Sequence, residues 1–281
     1  MIAYFDRIPD SMFRVIALTV IAILLAMIIF PLYFMATTAF KVEAEIYSEL
    51  TWFPRDPTWN NFSAVIYSFR IPLYLRNTLI VALTTTAIVV VISVLAAYSL
   101  TRLRFAGRAV MARGVLFVYL VPGSLMLIPM YLIISNLGLK DTYTGLIIAN
   151  MSFAVPFCTW LLMGYLRSIS VEIEEAALID GCTRLQSLWH IVIPLSIPGI
   201  VTAAIFIFNN VWNEFIFALI LSQDESRRMI SVGLSNFYRS DYYMVGPMMA
   251  GSLIAMAPVV ILYIIAQRYV VTGLAAGGVK G

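Results

Sequence analysis

The sequence predicts an all-α, polytopic membrane protein with six transmembrane helices. Three observations carry that prediction. Charge is scarce: 18 Lys and Arg with 15 Asp and Glu make up 12% of 281 residues, against about 25% in an ordinary soluble domain. Hydrophobic residues make up 62%. The charges are also segregated, since the stretches 15–40, 77–101, 114–139, 142–166, 191–213 and 242–267 contain none. A soluble enzyme with one core has no use for six such runs. A bilayer does, because a spanning helix needs about 20 mostly apolar residues.

Other classes are excluded on the same grounds. A transmembrane barrel would show strands of about ten residues with alternating polarity, whereas these runs are continuous. Helices pair every backbone group within one segment, as lipid demands. A net charge of +3 without a dense basic stripe argues against a nucleic-acid partner. Cys158 and Cys182 are too few and too far apart for a metal site, and no disulfide is expected between an apolar run and a polar loop. The first apolar run is longer than the roughly 7–15 residues of a signal-peptide core, so it is expected to remain as an anchor. Membrane lipid is therefore the first partner.

The helices are placed at 14–38, 76–100, 113–134, 145–166, 197–221 and 247–268. Pro31, Pro122, Pro129, Pro156, Pro198 and Pro258 fall within them. In a soluble helix each would cost about 3 kcal/mol, but neighbours in a membrane bundle can re-pair the freed carbonyl. They are read either as plain kinks or as bends that line a pathway. Gly246 and Ala250 are four apart and permit close helix contact. Six helices put both termini on one side. Basic residues nearly balance across the two sets of loops, but 102-RLRFAGR-108 with Arg113 is the densest basic segment and marks the cytoplasmic face. The chain divides into a first segment and helix (1–40), an outside loop (41–72), a transmembrane domain (73–268) and a cytoplasmic tail (269–281).

Among the loops, 39–75 carries Trp52 and Trp59, which suit the membrane–water interface. The loop 135–144 is a tight turn, and 222–246 is polar and external. The segment after the fourth helix is the informative one. Ser170 is a good N-cap, and Glu172, Glu174 and Glu175 favour the helix start that follows it. A short helix is expected over 171–180, ended by Gly181, whose missing Cβ permits a positive φ. A second short helix is expected over 183–191, before Pro194 and Pro198 lead into the membrane. On composition alone this segment could be a solvated connector.

The spacing of 175-EAALIDGCTRLQSLWHIVIP-194 argues otherwise. It resembles the "EAA" loop of binding-protein-dependent ABC importer permeases, with Ile193 where Leu is usual and Cys182 where Ala is usual. The segment 211-VWNEFIFALIL-221 resembles the Trp-Asn-Asp/Glu segment of carbohydrate importer permeases. The tail 267-QRYVVTGLAAGGVKG-281 is similar to that of the smaller maltose-importer permease subunit. The resemblance runs from about Asn77 to Gly281 and implies the type I ABC importer permease fold in the cell inner membrane, with both termini cytoplasmic.

The function implied is that of a carbohydrate importer's permease subunit. It forms half of the sugar pathway and is a transport subunit, not an enzyme. No Walker-type phosphate loop is present in the sequence, so ATP and Mg would belong to a separate ATPase dimer, with no cofactor on this chain. A second, non-identical permease would complete the pore, and an extracytoplasmic sugar-binding protein would deliver the solute. By that resemblance Glu175, Ala176, Ala177, Asp180 and Gly181 contact the ATPase, and Gly277, Gly278 and Lys280 of the tail reach it as well, in an extended, adaptable segment.

Asn209, Asn210, Asn213 and Glu214 are polar within an apolar helix. They are candidates for the substrate pathway, with helix–helix hydrogen bonding the alternative. His190, the only histidine, reads as a loop residue near the headgroups, and no catalytic or metal-ligating constellation stands out. Two further readings stay open at this level: a permease for another small solute, such as glycerol phosphate or a polyamine, and a membrane-embedded enzyme.

Overall fold

The computed structural model describes residues 10–48, 50–239 and 242–278. It is almost wholly helical. The helices are α1 (Asp10–Ala39), α2 (Glu43–Ser48), α3 (Asn60–Ser63), α4 (Ile71–Arg102), α5 (Arg108–Leu120), α6 (Leu127–Asn136), α7 (Tyr143–Ser168), α8 (Val171–Ile179), α9 (Arg184–Ser187), α10 (Ile193–Trp212), α11 (Ile216–Leu221), α12 (Ile230–Ser235) and α13 (Val245–Gly278). A two-residue antiparallel ladder pairs Tyr238 with Tyr243 and Arg239 with Tyr242. Among the described residues, five helices are long and apolar enough to cross a membrane, and six if one bent pair is counted as a span.

That bent pair is the third expected span. A continuous helix over 113–134 is not what forms. α5 and the Gly123–Asn136 segment meet at 91°. Pro122 explains the break: it cannot donate a backbone hydrogen bond, and its ring pushes Val121 out of the helical region. Val121 has φ −69° and ψ 124°, and Pro122 has φ −59° and ψ 127°. The other prolines do not break their helices. Pro31, Pro156, Pro198 and Pro258 lie inside continuous ones, and Pro129 sits in the first turn of α6, where no intrahelical N–H is required.

The fifth span also departs from expectation. The predicted helix 197–221 ends at Trp212 and restarts at Ile216. At its other end there is no break where one was expected. α9, a π-helical turn over Leu188–Val192 and α10 run on as one 29-residue apolar span, Arg184–Trp212. The tail differs too: the backbone of α13 stays helical to Gly278 instead of becoming extended.

Two compact units are present. One comprises the chain up to Arg70 together with Phe237–Ile254. The other comprises Ile71–Asn236 and the residues from Ala255 on. The first unit therefore recruits a segment the sequence-based division had assigned to the transmembrane domain. Within it Phe69 packs edge-on against Phe237 at 4.6 Å. Gly246 meets Asn61 so closely that an added Cβ would lie 2.6 Å from Asn61 Oδ1. Asn61 Nδ2 donates to the carbonyls of Ala39 and Lys41 at 2.9 Å each. The small residue at 246 thus serves close approach, as its pairing with buried Ala250 had indicated.

The second unit is built on α4, α7 and α10. On α4, Asn77, Val81, Thr85, Val89, Ser93 and Ala97 are buried; on α7, Leu146, Asn150, Ala154, Cys158, Leu162 and Leu166 are. Both stripes advance by four residues, the ridge spacing that lets two helices interlock. α10 packs against both helices. Its Gly199 lies against the Tyr165 ring, where a Cβ would come within 2.5 Å of Cγ. The turn that precedes α12 is anchored to this core rather than solvated. Asn77 Nδ2 donates to the Ser226 and Arg228 carbonyls at 3.0 and 2.9 Å, and Thr78 Oγ1 accepts from Ile230 N at 2.8 Å. Met229, Ile230 and Val232 are buried.

Candidate functional site: the surface helix after α7

α8 begins as its sequence dictates. Ser170 Oγ accepts from Glu172 N at 3.2 Å, and two acidic residues occupy the first turn. It ends in a complete Schellman arrangement. Gly181 N donates to Leu178 O at 3.2 Å, and Cys182 N donates to Ala177 O at 3.0 Å. Gly181 has φ +94°, a left-handed conformation that costs an L-residue with a Cβ about 1–2 kcal/mol. Thr183 and Gln186 then form a reciprocal capping box that starts α9.

The helical period sorts the five residues expected at the ATPase contact. Glu175, Ala176, Asp180 and Gly181 are exposed. Ala177 is turned inward, only 7% exposed, beside buried Glu174. The period puts Ala177 on the face of Glu174, three residues earlier, so its methyl group fills the interior. The outward face instead carries Ile173 and Ile179, the latter 85% exposed. An amphipathic sequence reading missed these two, although bare isoleucines among carboxylates are a sequence-level signal of a contact surface. Of the three tail residues, Gly277 and Gly278 end α13, and Lys280 lies outside the described residues.

The inner face of α8 is held to the ends of two membrane helices. Tyr98 Oη donates to Glu174 Oε1. Arg102 Nε lies 3.2 Å from Glu174 Oε2, with the two side chains 5% and 6% exposed. Arg102 Nη2 also donates to the Leu166 and Ile169 carbonyls at 2.9 and 2.8 Å, capping the C-terminus of α7. Arg108 does the same for α4, donating to Leu100 O, Thr101 O and Leu103 O at 2.8, 3.0 and 3.2 Å. Cations at helix C-termini complement the backbone dipole. These arginines of the basic segment are thus structural elements as well as charges.

The four polar residues expected in the pathway cluster at the end of α10. Asn213 Nδ2 donates to Asn209 O at 2.8 Å and to Asn209 Oδ1 at 3.1 Å. Glu214 accepts from Phe217 N and Ala218 N at 2.7 and 2.8 Å, so it caps α11. Ser231 Oγ donates to the Glu214 carbonyl at 2.7 Å. These bonds explain the break at Asn213. Asn210 is exposed. None of the four lines a cavity of about 830 Å³ between α5, α7 and α10. That cavity is lined by Trp160, Tyr165, Thr202 and Phe206 together with Arg113 and Arg167. No periodicity in any one helix could have shown it, because three helices contribute to it.

A set of apolar helices of membrane-crossing length, with a capped short helix tied through Glu174 to the end of α4, is the architecture of a polytopic membrane protein. The sequence comparisons specify the family. Residues 89–275 match the family described as binding-protein-dependent transport system inner membrane component, and the chain belongs to it. It is 38% identical over 262 residues to the sulfoquinovosyl glycerol transport system permease protein of Agrobacterium fabrum, covering 92% of each chain. It is 32% identical over 277 residues to the trehalose/maltose transport system permease protein of Thermococcus litoralis, covering 97% of this chain and 99% of that one. The fold matches a chain of a bacterial ABC transporter involved in the import of the acidic polysaccharide alginate, with a TM-score of 0.80 and 23% identity over 93% and 97% of the two chains. The protein is a multi-pass membrane transport subunit and not itself the ATP-hydrolysing enzyme.

Proposed function

We propose that this chain is one of two non-identical permease subunits of an ATP-driven carbohydrate importer. Carbohydrate is the solute class because the relatives above transport sulfoquinovosyl glycerol, trehalose and maltose. The observation that carries the coupling role is the geometry of α8. It presents Glu175, Ala176, Ile179 and Asp180 outward at a glycine-capped end, while its other face is fixed to α4 and α7. This is a shape that can enter a cleft of a partner, with small side chains for close approach and carboxylates for basic groups. Cytoplasmic ATPase subunits carrying Mg and ATP supply the driving force. Their closure favours one of two arrangements of the helices by differential affinity. An extracytoplasmic binding protein delivers the sugar, and both termini lie in the cytoplasm of a cell whose inner membrane holds the assembly.

Two experiments test this. Affinity purification of the chain from its native membrane should bring an ATPase with it, and Glu175→Lys should release that ATPase while leaving the amount of inserted permease unchanged. Single cysteines near Arg104 and Asp180 should react only with reagents on the cytoplasmic side, and one near Asp224 only from outside. Reaction near Asp180 from outside would overturn the assignment.

A further inference from the structure

We propose that Glu174, Arg102 and Tyr98 form the joint through which movement of α8 reaches α4 and α7. The chain itself ties α8 to α7 through Ile169 and to α9 through the Gly181 turn. α4 is remote in sequence, and the buried carboxylate of Glu174 reaches it directly, accepting from Tyr98 Oη and pairing with Arg102 Nε at 3.2 Å. The same guanidinium donates to two carbonyls at the C-terminal end of α7, Leu166 O at 2.9 Å and that of the capping residue, Ile169 O, at 2.8 Å. One planar, rigid group therefore fixes three elements in one geometry.

Stability alone does not call for this arrangement. A buried ion pair often holds a fold no better than apolar residues of equal volume. What the cluster adds is directional hydrogen bonds, from Tyr98 Oη to Glu174 and from Arg102 Nη2 to the two carbonyls, with the Arg102–Glu174 contact acting as a charge pairing beside them. The two adjacent carboxylates divide the work by the helical period: Glu175 faces outward, and Glu174 faces the membrane helices. A push on the outer face of α8 is carried inward one residue away. Arg167 and Ser168 lie in the chain between the two carbonyls that Arg102 holds, and both line the 830 Å³ cavity, so a movement of this end of α7 alters that cavity.

The inference rests on the reading that α8 docks on an ATPase. Its test uses the whole assembly in proteoliposomes. Cys158 and Cys182 are replaced by serine, and Ser168→Cys is introduced in the cavity lining. Its rate of reaction with a membrane-permeable maleimide is measured without nucleotide and after trapping with ATP and vanadate. The otherwise native assembly should show a nucleotide-dependent change in rate. Glu174→Gln, Tyr98→Phe and Arg102→Lys should each shrink that change about fivefold or more, the size expected of mutations along a coupling path, with the ATPase still bound. If all three variants bind the ATPase and keep the full change, the joint transmits nothing. If they lose the ATPase altogether, the cluster is a scaffold, and the inference falls as well. If the native assembly itself binds no ATPase, the docking reading fails and takes this inference with it.

Discussion

Gly181 offers a test in which two physical explanations give opposite orders. Its φ is +94°, and it closes α8 with both hydrogen bonds of a Schellman turn. A Cβ built on it meets nothing within 4 Å. The cost of a side chain there is therefore conformational and not steric within this chain. Alanine in the left-handed region loses about 1–2 kcal/mol, which is about a fivefold to thirtyfold loss of the correctly ended helix at 1.4 kcal/mol per factor of ten. Asparagine tolerates that region far better, and a β-branched residue tolerates it worst. ATPase retained on purified assemblies, measured against rising salt, should follow the order Gly, Asn, Ala, Val. If instead the partner's cleft excludes bulk at this point, Ala should retain more ATPase than Asn. That reversed order, or Ala equal to Gly, would refute the conformational argument.

Further outcomes follow from other positions. Gly233→Ala places a Cβ 2.3 Å from Cδ2 of the buried Tyr74 ring and should destabilise by about 1–3 kcal/mol. Thermal unfolding in detergent should show the loss, and a Tyr74→Leu background should reduce it. Glu45 accepts from Thr51 Oγ1 at 2.6 Å and from Arg55 N at 3.1 Å, and the Thr51 hydroxyl above all holds its carboxyl below the ordinary carboxylate range. A depressed value stabilises the folded loop above the ordinary carboxylate range and is lost as pH falls through the depressed value. Proteolysis of residues 41–60 should therefore rise towards acid, and Glu45→Gln should flatten that dependence. Pro122→Ala should lengthen the separation of spin labels at Val110 and Ile133 from about 25 Å towards the roughly 35 Å of a straight helix. No change would mean that packing and not proline sets the 91° bend.

Much of the site was legible in the sequence, since its signals are local. A cap at Ser170, acidic residues in the first turn and a glycine after the last turn lie within a dozen residues, and the structure forms the helix they specify. The division of labour between Glu174 and Glu175 was not legible. Adjacent carboxylates look alike until the helix is set against its neighbours, and Tyr98 and Arg102 are more than seventy residues away in the chain. Glu214 was legible as an unusual charge, but not as a cap for α11, because that role depends on a break its own bonds create.

Apolar length and charge segregation by themselves determined that the chain crosses a membrane several times and roughly where, since a bilayer selects on the hydrophobicity of one contiguous segment. They did not determine which face of each helix is buried, because lipid and protein interior are equally apolar and the spans carry little polar contrast. Tertiary structure decided that. Small and polar residues every fourth place along α4 and α7, such as Thr85, Ser93, Ala154 and Cys158, pack where the two backbones approach. Which of them meet depends on partners distant in sequence, whose fit only the packed bundle sets.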